Sequence, residues 1–185
     1  MTVFRHRQGL VQACREGLRP KYLFFWGHKP RGQSIDKSCL SQWFPAAFEV
    51  RSERFVTAEH WMMAEKASLF GDQEMRARII ASRSPGEAKK LGRQVRGFDA
   101  SVWDDHSLDI VTKGNVHKFG QNEHLRSFLL ATSHRVLVEA SPRDRIWGIG
   151  MDQNNPHATN PEMWRGENKL GFALMLAREE LTGSM

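Results

Sequence analysis

Glu59 and Lys66 are the first candidates for chemistry in this sequence. They lie in Thr57-Ala-Glu-His-Trp-Met-Met-Ala-Glu-Lys-Ala-Ser-Leu-Phe70, a stretch that is otherwise nearly apolar. At about 100° per residue, positions seven apart on a helix project within about 20° of each other. Burying either charge is expensive unless it is paired or used. A Glu–Lys pair that fixes helix register and a functional pair both fit this spacing. Further polar candidates sit in apolar or glycine-rich surroundings: Asp144 in Asp-Arg-Ile-Trp-Gly-Ile-Gly150, and Asn168 in Arg165-Gly-Glu-Asn-Lys-Leu-Gly171. Trp26, Trp43, Trp103, Trp147 and Trp164 add flat apolar surface, each explicable by core packing as well as by ligand stacking. Gly148 and Gly150 allow close backbone approach or simply a tight turn. Carboxylates, aromatics and a buried lysine suit a site that holds a flat heterocycle and breaks a bond at a sugar carbon. Such cleavage needs a general acid for the leaving group and stabilisation of an oxocarbenium-like centre.

The elements that must hold these residues can be read from caps and periodicity. Thr57 is a good N-cap, Gly71 offers a left-handed stop, and about four turns lie between them. A helix apolar all round belongs in a core. Residues 1–20 read as a short helix or arm. Lys21-Tyr-Leu-Phe-Phe-Trp-Gly27 reads as a strand feeding an exposed loop. Ala47–Arg51 and Arg54–Val56 suggest a small hairpin. Asp72 caps a helix to about Ser82, and Ser84-Pro-Gly-Glu87 is a capping box with Pro at the first helical position. The basic run that follows, Lys89, Lys90, Arg93 and Arg96, reads first as a solvated face. Helices from Val102 to about Phe119 and after Asn122, a strand over 135–140, an irregular loop over 151–165 and a final amphipathic helix from Glu167 complete the chain. The expectation is a mainly α (α+β) fold. It has an N-terminal arm (1–20) and one compact domain (21–182) around the buried central helix at about 57–70, with a few short strands.

Composition narrows the classes. The chain has 185 residues, 40% hydrophobic and 26% charged, which suits a globular domain. No apolar run reaches membrane-spanning length, and the first ten residues lack a signal-like apolar core. The net charge of +6 suits a phosphate-bearing partner, with nucleic acid possible, although no run of five or six cations marks a backbone-binding stripe. Two cysteines without a secretory signal imply free thiols and a cytoplasmic protein. The eight histidines show no ligand spacing, so no metal is expected, and without a Gly-rich nucleotide motif no cofactor is expected.

Six ordered blocks carry a family resemblance. They are Thr57-Ala-Glu-His-Trp-Met-Met-Ala-Glu-Lys66, Ala88-Lys-Lys-Leu-Gly-Arg-Gln-Val95, Lys113-Gly-Asn-Val-His-Lys-Phe119, Leu129-Leu-Ala-Thr132, Asp144-Arg-Ile-Trp-Gly-Ile-Gly150 and Trp164-Arg-Gly-Glu-Asn-Lys-Leu-Gly171. With these, the chain resembles the NADAR family from about Phe24 to the last helix. The resemblance implies an N-glycosidase. One family branch hydrolyses phosphoribosylamino-pyrimidine intermediates of riboflavin biosynthesis, and another removes ADP-ribose from guanine in nucleic acid. A non-catalytic binder of ADP-ribose or NAD-like ligands is the reading from another class. By motif position the resemblance makes Glu59 a general acid/base or ribose-orienting group, Lys66 a Schiff-base nucleophile at C1 and Asp144 a second carboxylate. Trp103 and Trp147 would shape or stack on the base, and Asn168 would bond the ribose or hold its loop. Trp26, Trp43, Arg93, Lys118 and Gly148 complete the candidate substrate-binding set. The chain departs from the riboflavin-branch pattern at Ile149, where that branch has Asp, and in the longer connection from Met151 to Trp164. If an acid is essential there, Asp144 or Asp152 has to serve.

Overall fold

The computed structural model describes residues 4–30 and 32–183. Among them are seven α-helices and four short strands. The central helix, α2 (Ala58–Leu69), is capped as its sequence requires: the Thr57 hydroxyl accepts from the His60 backbone N–H. Every residue from Ala58 to Ala64 is buried, so the helix has no solvent face in its first two turns. His60 is fixed as one tautomer. Its Nε2 faces the Ser82 carbonyl and must donate, so its Nδ1 accepts from the Thr57 hydroxyl at 2.7 Å.

Two helices follow and fold back on α2. α3 (Gln73–Ile80) is capped by Asp72, whose carboxylate also takes three N–H groups of Arg96. α4 (Pro85–Gly92) opens on the Ser84 hydroxyl, which accepts from Glu87 N–H, while the Glu87 carboxylate reaches back to Arg83 N–H. The second half of that box therefore falls one residue earlier than the usual pattern. Gly92 faces Met63, and its carbonyl accepts from Lys66, while Lys89 acts on Glu59. The paired contacts advance together along both helices, so α4 lies beside α2 in the same direction.

α1 (Arg7–Arg15) is a docked helix rather than a free arm. Leu10 is fully buried, and the Arg7 side chain donates to the Pro161 carbonyl. Residues 1–3 of the expected arm lie outside the described residues. β1 (Tyr22–Phe25) pairs in parallel with β4 (Val136–Glu139), with Phe25 opposite Glu139. The intervening crossover contains α5 (Ala100–Gly120) and α6 (Glu123–Ala131) besides α2 to α4. β2 (Phe48–Val50) and β3 (Glu53–Phe55) form the expected hairpin. Its two-residue turn places Arg51 and Ser52 both at positive φ, the primed geometry that suits strand twist, though without the usual glycine or asparagine.

α7 (Lys169–Gly183) packs against both α5 and β4. Gly171 permits this, because a Cβ there would overlap the Leu137 carbonyl oxygen and the Asn168 amide. Gly171→Ala gains about 1 kcal/mol of helix propensity. It loses more to the clash with backbone, and we expect a net destabilisation of about 2 kcal/mol by urea denaturation. Among the described residues no helix is long and apolar enough to cross a membrane.

Candidate active site

The carboxyl ends of the parallel strands β1 and β4 meet the N-terminal ends of α2 and α4. Loops beyond strand carboxyl ends are where α/β folds most often bind ligands. Here three acids from distant parts of the sequence gather. Glu59 enters from the first turn of α2 and is 2% exposed. Glu139 ends β4, and Asp144 follows in the loop after it. Asp144 acts electrostatically on both glutamates.

Burial pushes the Glu59 carboxyl up to about 7, against the pull of Lys89, an indole hydrogen bond from Trp43 and the attraction of Arg93. Desolvation therefore outweighs two cations and a helix N-terminus. Burial also drives Glu139 up to about 8, reinforced by the negative charges of Asp144 and Glu59 and opposed by Lys89. Each glutamate retains one buried oxygen, Oε1 of Glu59 and Oε2 of Glu139, with no hydrogen-bond partner among the described residues. A buried carboxyl oxygen left unbonded costs stability, so two of them gathered beside a third acid are informative. Two carboxyls titrating near neutrality can exchange protons with a substrate at physiological pH.

The loop that carries Asp144 is tied by its own hydrogen bonds. Its Oδ1 accepts from the backbone N–H groups of Ile146 and Trp147, and its own N–H donates to the Ser141 hydroxyl. Gly148 is a packing glycine: a Cβ would press against the carbonyl oxygens of Glu139 at 2.8 Å and Asp144 at 3.1 Å. This close approach lets Ile149 N–H bond the Glu139 carbonyl. Asn168, fully buried and at positive φ, holds the other side of β4. Its Oδ1 accepts from Glu139 N–H and its Nδ2 donates to the Leu137 carbonyl. Of its two expected roles, holding the loop is the one its contacts fill. The segments around Trp147 and Asn168 thus fix the backbone of Glu139.

The expected Glu59–Lys66 pair does not form. The seven-residue spacing aligns the two in angle but separates them by about 10 Å along the helix axis. The cations that act on Glu59 are Lys89 and Arg93. Part of the basic run on α4 is therefore not merely a solvated face, and Arg96 is spent on Asp72. Lys66 instead donates to the Gly92 carbonyl at the end of α4, with its Nζ 4.0 Å from the Phe98 ring centroid and 5.7 Å from that of Trp103. Burial lowers its proton affinity. Lys118 is a correction: its side chain is closed to solvent, and Nζ donates to the carbonyls of Cys39 and Ser41. It holds the turn before Trp43 and cannot reach a phosphate. Lys118→Met is expected to lower the Tm by several degrees, because it takes away the charged donor of the buried Cys39 carbonyl and leaves the Ser41 carbonyl with the Phe44 N–H alone. KM is expected to stay unchanged, as steady-state kinetics on the folded variant would check.

Trp43 and Trp147 are half-buried beside the acids, and Trp103 is half-buried beside Lys66. Trp26, just past the end of β1, is 58% exposed, an apolar surface open at the rim. Trp164 is buried, its indole bonded to the Ala158 carbonyl. Asp152 bonds Asn154 N–H within its own loop. Sequence reasoning missed Glu139. The available signal was a lone acid closing an apolar strand, Val-Leu-Val-Glu, just before a Ser-Pro loop. Ile149 is wholly buried with its N–H on the Glu139 carbonyl, so the position where the riboflavin branch has Asp lies against the backbone at the end of β4.

The NADAR domain family matches residues 24–182. N-glycosidase R617 of Acanthamoeba polyphaga mimivirus is 43% identical over 165 residues, 86% of this chain and 96% of that protein. The NMR structure of the E. coli protein YbiA shares the fold with a TM-score of 0.69 at 27% identity, covering 90% of this chain and 88% of that one. The chloroplastic riboflavin biosynthesis protein PYRR of Zea mays is 34% identical over 138 residues, 70% of this chain and 20% of that longer protein. A match over most of the chain, joined to buried carboxyls that titrate near neutrality, makes this protein a member of the NADAR family and a hydrolase of N-glycosyl bonds.

Proposed function

We propose that this N-glycosidase hydrolyses the bond between ribose C1 and the exocyclic amine of a phosphoribosylamino-pyrimidine, an intermediate of riboflavin biosynthesis. The observation that carries the reading is the Glu59–Glu139 pair, two buried carboxyls raised to about 7 and about 8 with one unbonded oxygen each. Glu139, the more readily protonated, donates to the departing amine nitrogen. Glu59, with the larger ionised fraction, stabilises positive charge at C1 and takes a proton from the attacking water. Lys89 and Arg93 supply positive charge for the substrate phosphate. Trp43 and Trp147 flank the base, and Trp26 offers a stacking face at the rim. The riboflavin-pathway name of the maize relative supports this choice of substrate. The free thiols of Cys14 and Cys39 suit a cytoplasmic enzyme.

The test is base release by the purified protein on two substrates in parallel: the phosphoribosylaminopyrimidine and an oligonucleotide bearing ADP-ribosylated guanine. The expected result is release from the small molecule. Release from the oligonucleotide alone would shift the reading to removal of ADP-ribose from nucleic acid.

A second mechanism rests on Lys66. Its proton affinity is lowered by burial, and no carboxylate pairs with it among the described residues, which favours the free amine that a Schiff base requires. In that mechanism the amine attacks C1 of the ring-opened imine and displaces the base amine, and water then hydrolyses the new imine. Borohydride during turnover would reduce such an imine and leave the sugar phosphate on the protein, visible by mass spectrometry. An unmodified mass would leave the carboxyl pair to act without a covalent intermediate.

A further inference from the structure

A groove lies at the opposite end of β4. The start of the strand, α1 and the turn between α6 and β4 enclose a groove of about 1360 Å³. The strand separates this groove from Glu139 by about 10 Å, at 3.3 Å per residue. On the floor lies Arg178, 8% exposed. Its Nη1 donates to the Thr132 hydroxyl at 2.6 Å and to the Arg135 carbonyl at 3.1 Å. No carboxylate pairs with it among the described residues, and the charge that faces it is the Arg135 guanidinium. Burial and that like charge hold its proton affinity down, at about 10. A guanidinium has five N–H donors, so Nε and Nη2 remain for a ligand.

The rest of the groove has the same polarity. Arg19 and Lys21 line it, and Lys21 is exposed. Its one acid is Glu16, whose carboxylate accepts from Gln12. Phe4, Leu18, Val136 and Met175 supply apolar wall. Arg178 is buried and Arg135 is exposed, with its Nε and Nη2 donating to the Thr132 and Ala131 carbonyls; two neighbouring like charges with no acid paired to either among the described residues form an arrangement that an anion relieves.

We propose that this groove binds the terminal phosphate of a nucleotide-sized ligand, seated on Arg178 and Arg135, at a site separate from the carboxyl cleft. The depth of Arg178 selects the terminal phosphate. An internal phosphodiester carries a nucleoside on both sides and cannot descend to a floor that is 8% exposed, whereas a chain end can. The base then covers the apolar wall, and Arg19 and Lys21 meet the outer phosphate.

The experiment is isothermal titration of the full chain at low ionic strength with ADP, with adenosine and with an oligothymidylate bearing hydroxyl ends. ADP is expected to bind and adenosine not. Arg135→Glu is expected to weaken ADP by at least about tenfold, the scale of one lost charge-assisted contact. The same variant should leave N-glycosidase activity unchanged. Lys89→Ala, in the carboxyl cleft, should leave this ADP binding in place. Arg178→Met removes a buried side chain that caps the α6–β4 turn and can unfold the protein. Lys21→Glu, at the exposed rim, is therefore the second variant, and circular dichroism checks its fold. ADP binding lost in Lys89→Ala but kept in both groove variants would overturn the proposal, since the ligand would then occupy the cleft. Equal affinity for the hydroxyl-ended oligothymidylate would overturn it as well, in favour of a nucleic-acid strand.

Discussion

Glu59→Gln lowers kcat by about 10²–10⁴-fold, the range for loss of a positioned acid–base group. The amide keeps the shape of the side chain and one hydrogen-bonding oxygen but can neither carry charge nor accept the proton. KM should change much less, because Lys89 and Arg93 remain. A linked effect on stability separates this outcome from misfolding. The folded-state affinity of Glu59 for its proton is raised, to about 7, above the ordinary value near 4. The stability this group contributes is fully present below about pH 4 and is lost as pH rises through about 7. Glutamine has no such dependence. The variant should therefore gain Tm relative to the parent on going from pH 5 to pH 8, by differential scanning calorimetry, while its turnover collapses. Full activity in a folded Glu59→Gln enzyme would remove Glu59 from the proton transfers.

Activity rises with pH to an optimum between about 7 and 8 and falls beyond it. The ascending limb follows ionisation of Glu59 and the descending limb follows loss of the proton from Glu139, raised to about 8. Because the two carboxyls sense each other and Asp144, the limbs are properties of the set. Glu139→Gln should lower kcat by about 10²-fold or more and flatten the alkaline limb, whereas the acid limb persists. The measurement is the pH dependence of kcat for parent and variant on the phosphoribosylamino substrate. An alkaline limb of unchanged position in Glu139→Gln would assign the acid elsewhere.

The contrast between Glu139 and Glu59 shows what was legible in the chain. Glu59 announced itself because it interrupts an apolar helix, and burial of an isolated carboxylate is costly enough to be noticed. Asp144 and Asn168 stood out through their glycine-rich neighbours. The capping residues Thr57, Asp72 and Ser84, the hairpin at 48–55 and the buried central helix followed from local rules, which act within a few residues. Glu139 did not stand out, because an acid at a strand end is ordinary until its surroundings are known. Those surroundings come from α2 and α4 as well as from its own loop, with Glu59 and Lys89 at least fifty positions away.

The sequence by itself determined the mainly helical class, the burial of α2, the caps Thr57, Asp72 and Ser84 and the burial of an acid at Glu59. Only the tertiary structure decided its partners. Angular alignment on a helix says nothing about axial distance, so Glu59 and Lys66 share a face without pairing with each other. Lys118 lies in a helix whose charges are otherwise mixed, and it is buried by carbonyls 77 and 79 residues earlier in the chain. The parallel pairing of β1 with β4 brings Phe25 opposite Glu139 across more than a hundred residues, a separation at which pairing leaves no local pattern. Local propensity acts over a few residues, whereas desolvation and charge act through space, and it is the latter that raise two glutamates into the range of proton transfer.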